Sequence, residues 1–196
     1  MSLLITGGLG YLGYEVLHAA SRARPGEPIV ALGRGPLPSG ISLPEDVVYE
    51  RGSILDEAFF GQVLKRHKVK EIVHAAGART SECAADPHQA IESNVFGTDA
   101  VFRAARAWGM VEKIIFVSSG AVYGKTTEPI DETATVSAGT PYAIAKAAAE
   151  MVARGHAEKA GFQTAIVRPG FVMGPSSSGT PKASKLNAVV GEAMNR

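Results

Sequence analysis

The chain has 196 residues, enough for one full-sized domain that buries roughly 70% of its unfolded surface. Hydrophobic residues make up 45% and charged residues 20%, which excludes a disordered chain. Lys plus Arg number 20 against 19 Asp plus Glu, so no global field draws the chain to nucleic acid or to an anionic membrane, and its partners belong to a local site.

Short apolar runs at 3–5, 29–32, 47–49, 72–75, 114–117 and 165–167 read as buried strands. Amphipathic stretches at 11–22, 57–67, 87–108 and 141–160 read as helices between most of them. Strand and helix alternating in this way predict parallel pairing through right-handed crossovers, an α/β doubly wound sheet. The stretch 33–44, with three prolines and three glycines, and the Ser/Gly/Pro stretch 174–185 read as loops. Residues 186–196 suffice for about three helical turns. The organisation expected is a dinucleotide-binding domain over 1–175, with 176–196 a loop and the start of a truncated substrate-binding region. One cysteine, Cys83, cannot make an internal disulfide, no secretory leader precedes the first strand, and no apolar run nears the roughly 18 residues of a membrane span. A reducing, cytoplasmic setting without a metal site is the expectation.

The first strand runs into Thr6-Gly7-Gly8-Leu9-Gly10-Tyr11-Leu12-Gly13. Gly7, Gly10 and Gly13 fall where the backbone must turn, approach a ligand and let helix pack on sheet. The amides opening the helix, from Tyr11 and Leu12 to Gly13, then offer a diphosphate the favourable end of the helix dipole. In a strand-to-helix context this spacing predicts a dinucleotide site. The acid that usually holds the adenosine ribose is expected about twenty residues on. Gly33 stands there, followed by Arg34. A missing carboxylate leaves room for a 2′-phosphate and a guanidinium can pair with it, so NADP is favoured over NAD; the competing reading makes Arg34 a solvated loop charge.

Tyr142 and Lys146 lie four apart on a helix, hence on one face. At pH 7 only about one free tyrosine in a thousand is phenolate, and bringing its pKa near 7 takes about 4 kcal/mol of preferential stabilisation of the anion. The Lys146 ammonium supplies part of this, which fits Tyr142 to move a proton as an alcohol is oxidised or a carbonyl reduced. The preceding strand ends in Ser118-Ser119-Gly120-Ala121-Val122-Tyr123-Gly124, at the edge where doubly wound sheets bind ligands. A serine there can hydrogen-bond the reacting oxygen, or serve as a cap or turn former.

With His74-Ala75-Ala76-Gly77, Asp86-Pro87, Asn94-Val95-Phe96-Gly97-Thr98, Pro129-Ile130-Asp131-Glu132 and the segment from Arg168-Pro169-Gly170 to Pro175, the chain resembles the extended short-chain dehydrogenase/reductases of the nucleotide-sugar epimerase and dehydratase group, UDP-galactose 4-epimerase-like. The resemblance implies a Rossmann-type sheet flanked by helices, with most of the usual C-terminal substrate domain absent. It implies Ser119, Tyr142 and Lys146 as the catalytic triad, Lys146 also holding the nicotinamide ribose. Ser53 and Ile54, Ala75, Ala76 and Gly77, Asn94, Val117, Pro169 and Val172 would lie against or order the coenzyme, although Ser53 replaces an aspartate that usually contacts adenine. His74 would be structural and Cys83 a bystander. A nucleotide-sugar substrate and a homodimer built from the helices at 87–108 and 141–160 follow by analogy. The alternative from another class is a coenzyme-sensing module without turnover.

Overall fold

The computed structural model describes residues 2–39 and 41–172. Six parallel strands form its sheet: β1 (Ser2–Thr6), β2 (Ile29–Gly33), β3 (Val47–Arg51), β4 (Val69–His74), β5 (Lys113–Val117) and β6 (Gln163–Val167), in the order β3-β2-β1-β4-β5-β6. This is the expected Rossmann-type arrangement. The central strand β1 is buried throughout, so its sequence is continuously apolar but for Ser2 and Thr6. The edge strand β6 instead alternates exposed and half-buried residues.

Helix α1 (Tyr11–Ala23) covers one face, packing its Leu17 with Ile5, Ile29, Ala31 and Val73 of the sheet. On the other face α2 (Glu57–Arg66) and two later helices enclose the larger core of Leu4, Phe60, Leu64, Ile72, Phe102 and Phe116. Local chemistry sets the helix starts. Asp56 caps α2 by accepting from the Phe59 amide at 3.0 Å, with Glu57 in the first turn and Lys65 and Arg66 in the last.

The helix expected over 87–108 is three pieces: α4 (Pro87–Ala90), a π-helical turn (Ile91–Phe96) and α5 (Gly97–Trp108). The widened turn buries Asn94 and Ser93, which a straight helix of this polarity would not demand. A short helix, α3 (Thr80–Ala85), was not expected, because six residues carry too little periodicity to read. Strand β4 begins at Val69, earlier than expected, because Val69 pairs with Ser2 across a register shift that the intervening Lys70 and Glu71 disguise. The last long helix, α6 (Pro141–Ala160), starts on a Thr140 cap followed by Pro141 and stops at Gly161 with φ 70°. The loop expected over 174–185 and the turns over 186–196 lie outside the described residues. Among the described residues no helix is long and apolar enough to cross a membrane, and no group of three or more His, Cys, Asp or Glu gathers to hold a metal.

Candidate active site

The strand order reverses between β1 and β4, and a crevice opens at their carboxyl ends. Gly7 turns there with φ 68°, and a Cβ on it would stand 2.9 Å from the Ala76 amide nitrogen. A Cβ on Gly13 would stand 2.2 Å from the Gly7 carbonyl oxygen, so helix and turn touch backbone to backbone. Gly10, the N-cap of α1, places no cap side chain over the first turn of the helix. The cradle fits a pyrophosphate.

Behind it His74 is fully buried. Its Nδ1 lies 2.7 Å from Thr6 Oγ1 and its Nε2 3.1 Å from Thr98 Oγ1. Thr98 donates its own proton to the Asn94 carbonyl, so His74 carries its proton on Nε2 and accepts at Nδ1 from Thr6. Burial, then the charge of Lys146, pulls the imidazole pKa down to about 3. His74 is a neutral pin between β1, β4 and α5, not an acid or base. Thr6 and Thr98, its partners, were not singled out from the sequence, because their role depends on contacts 68 and 24 residues away.

Helix α6 presents Tyr142, Lys146 and Glu150 at intervals of four on its sheet-facing side; Lys146 and Glu150 are 5% and 3% exposed. Lys146 Nζ donates to the Val117 carbonyl at 2.8 Å and lies 5.0 Å from the centroid of the Phe116 ring. Ser119 accepts from the Ala121 amide at 3.2 Å, so it caps the 3-10 turn Gly120–Tyr123, and its side chain lies close enough to Tyr142 to pull the phenol's pKa down. Asn94 donates to the Ala78 carbonyl at 3.3 Å. Its Oδ1 has no partner and would lie 2.2 Å from a Cβ on Gly77, so that position must be glycine. Cys83 sits fully buried against Asn94, and burial raises its thiol pKa, as suits a bystander.

Two groups missed in the sequence reading complete the site's frame. Arg168 donates Nε and Nη2 to the two oxygens of Glu150, at 2.8 and 2.6 Å, and Nη1 to the Tyr123 hydroxyl at 2.7 Å. The amides of Ser118 and Gly120 donate to the carbonyls of Val167 and Pro169. The loop carrying Ser119 is thereby tied to both β6 and α6. The visible signal was Glu150, one helical turn beyond Lys146.

A model of the NAD dependent epimerase/dehydratase family matches residues 3–195. The chain belongs to that family. UDP-glucose 4-epimerase of Azospirillum brasilense is 29% identical over 98% of this chain and 56% of its own length. The dTDP-glucose 4,6-dehydratase of Mycolicibacterium smegmatis is 29% identical over 85% of this chain and 52% of its own. Among solved structures, UDP-glucose 4-epimerase of Thermotoga maritima with UDP-glucose superimposes with a TM-score of 0.78 at 25% identity, over 90% of this chain and 57% of that one. The Thermus thermophilus enzyme in complex with NAD gives 0.76 at 26% identity, over 86% and 54%. The chain thus spans about half the length of the relatives it matches.

Within this family member, several expected contacts take a different form. Ile54 points its side chain into the core, 8% exposed, with Cδ1 2.7 Å from where a Cβ on Gly97 would stand, so only its backbone is available to a ligand. Ser53 Oγ accepts from the Leu55 amide. Val117 offers a carbonyl already taken by Lys146. Pro169 packs by its carbonyl on Gly120, while Val172 is 40% exposed. β2 ends at Gly33, with Arg34 next in the chain, while Ala75 and Ala76 beyond β4 stand against Gly7 and Gly77 faces Asn94 and Lys146.

The expected acidification of Tyr142 is reversed. Burial raises its pKa above 10, a Ser119 hydrogen bond lowers it by less, and the charge of Cys83 adds to the rise. The Lys146 ammonium is spent on a backbone carbonyl. Burial pulls Lys146 itself down to about 8, against the smaller raising effects of Cys83 and Glu150. In the unfolded chain this amine titrates near 10.5, so between pH 8 and 10.5 the unfolded state binds more protons and stability rises with pH. The penalty of burying the ammonium is fully present below pH 8 and amounts to about 3 kcal/mol at most. Lys146→Met is therefore expected to stabilise the coenzyme-free chain by about 1–3 kcal/mol at pH 7, with the gain fading as pH rises towards the unfolded value. Urea titrations at pH 7 and 10 measure this; a variant less stable than the parent at pH 7 would contradict it.

Proposed function

We propose that this chain carries the coenzyme-binding and proton-moving half of an NAD(P)-dependent epimerase or dehydratase, or a related reductase, acting on a nucleotide sugar. The observation that carries the reading is the meeting of Tyr142, Lys146 and Ser119 on the rim of the glycine cradle, with a Gly77 shelf between Lys146 and Asn94. A bound nicotinamide supplies hydride acceptance and return. Gly7, Gly10 and Gly13 would receive its pyrophosphate, and Lys146 its ribose hydroxyls in place of the Val117 carbonyl. Tyr142, protonated at neutral pH, is ready to donate to a carbonyl oxygen; Ser119 holds that oxygen by a second hydrogen bond. Running as a base, Tyr142 needs cationic help, which a Lys146 released from Val117 would give.

We assign NADP in preference to NAD, although relatives have been solved with NAD, because β2 ends at Gly33, followed by Arg34, with no acid. Mass spectrometry of gently purified chain tests the reading. Retained oxidised coenzyme or nucleotide sugar supports it, and a chain that neither retains nor binds any pyridine nucleotide refutes it.

A homodimer is the assembly we propose. Ile91 and Phe96 on the π-helical turn, with Ile144 and Met151 on the α6 that packs against it, are exposed, Phe96 by 59% and Met151 by 74%. Light scattering at micromolar concentration is expected to return twice the chain mass, and Met151→Glu to lower it; a parent chain monomeric throughout counts against a dimer.

A further inference from the structure

The two faces of the sheet are not equally covered. On the face under α1 the register carries one row of side chains across the strands: Ile5 pairs with Ala31 on one side and Val73 on the other, Val73 with Ile115, Ile115 with Ala165, and Val117 with Val167. Along this row Ile5 and Ala31 are fully buried and Val73 nearly so, Ile115 and Val117 are half-buried, and Ala165 and Val167 are exposed, Val167 by 46%. Cover is lost step by step from β1 to β6. On the opposite face Ile114 and Phe116 are fully buried, and Ile166 packs against the same core.

Parallel strands are ordinarily covered on both faces, because their crossover connections lay helices on each. Among the described residues α1 alone contributes helical side chains to the core of the first face, and it lies over β1 and β2. An apolar strip of Ile115, Val117, Ala165 and Val167 is left beside it. The described residues end at Val172, five positions past β6, and 173–185 then lead to Leu186. That stretch, extended, spans up to about 43 Å, more than twice the roughly 17 Å length of a five-residue strand. Leu186, Val189, Val190, Ala193 and Met194 follow at the i, i+3, i+4, i+7, i+8 spacing that gathers apolar side chains on one side of a helix, with Asn187 and Glu192 between them. Four side chains are too few for a stable contact between separate chains, which takes about 800 Å² from each partner. A tethered segment instead meets the strip at an effective concentration on the order of millimolar.

We propose that the strip of Ile115, Val117, Ala165 and Val167 is a docking surface for residues 186–194 of the same chain, which lay Leu186, Val189, Val190 and Met194 on it and complete the layer that α1 begins. The strip lies at the carboxyl halves of β5 and β6, so a segment returning from the end of β6 meets it first. Gln163 and Lys113, at the amino ends of the same two strands, are exposed polar residues and bound the strip on that side.

Amide hydrogen exchange of the whole chain, read by mass spectrometry, tests the docking. Amides of 186–194 are expected to exchange at least about tenfold more slowly than those of an unstructured chain. Val167→Asp is expected to remove that protection while α2 and α5 stay as protected as in the parent. Should the aspartate loosen those helices too, Val167→Thr, which keeps the side chain's shape, is expected to cost 186–194 at least about threefold in protection and leave the helices unchanged. Val48→Asp, at an exposed valine of the far edge strand β3, is expected to change nothing at 186–194. Unprotected amides at 186–194 in the parent, protection that survives both changes at Val167, or protection that Val48→Asp removes equally would overturn the docking. Protection that grows with chain concentration would overturn it as well, since a second copy would then be the occupant of the strip.

Discussion

Tyr142→Phe is expected to leave coenzyme affinity within about twofold while turnover of a nucleotide-sugar substrate falls by roughly 10²–10⁴, the range for losing a positioned acid or base. The separation follows from where the hydroxyl sits. The ring is packed with Ala78, Cys83, Ala90 and Ala145, contacts that phenylalanine keeps. The lost oxygen contributes nothing to the glycine cradle, which binds through backbone. It lies beside Ser119 and is the proton carrier nearest the crevice, since His74 is a buried neutral pin and Cys83 is a buried thiol. Single-turnover reduction of bound coenzyme by UDP-glucose or dTDP-glucose, followed by the absorbance of the reduced nicotinamide, gives the readout. If the phenylalanine variant turns over like the parent, Tyr142 is not the proton carrier. If its biological effect also persists, a sensing module becomes the better account.

What could be read without coordinates was whatever is encoded within a few residues of itself. The spacing of Gly7, Gly10 and Gly13 is a local steric demand, and the clash distances of 2.9 and 2.2 Å at Gly7 and Gly13 reproduce it. The start of α6 was legible because Thr140 caps it and Pro141 follows. The rest depends on partners far along the chain. The π-helical turn that buries Asn94 is stabilised by packing against α6 and by Asn94's bonds to Ala78 and Cys83, none of which an amphipathic pattern encodes. The same limit explains the inverted direction for Tyr142. Sequence spacing put an ammonium on its face, but the Val117 carbonyl that engages this ammonium lies 29 residues away, and burial of the phenol is a tertiary property.

Glu150→Ala is expected to destabilise the chain by about 3–5 kcal/mol, the loss typical when one partner of a buried ion pair is removed. The Glu150 and Arg168 side chains are 4% and 14% exposed, and the pair is bidentate, so truncating the carboxylate strands a guanidinium with little water to replace it. Burial pushes the Glu150 pKa up, but the hydrogen bonds and charge of Arg168, with Arg154 behind it, outweigh burial and hold it below 4.5. The pair's contribution is therefore fully present above the unfolded value and is lost as pH falls through the lower folded one. Urea unfolding at pH 7 and at pH 4 should show the parent losing part of its advantage over Glu150→Ala on acidification; a difference under about 1 kcal/mol at pH 7 would mean the pair is solvated in solution. Replacing both partners by apolar residues, Glu150→Leu with Arg168→Met, is expected to recover most of the stability, because no buried charge is then left unpaired. It should not recover the geometry of the Ser119 loop, since Tyr123 loses the guanidinium that fixes its hydroxyl. A double variant that folds as well as the parent yet turns over far more slowly would separate the pair's contribution to stability from its role in holding Ser119 against Tyr142.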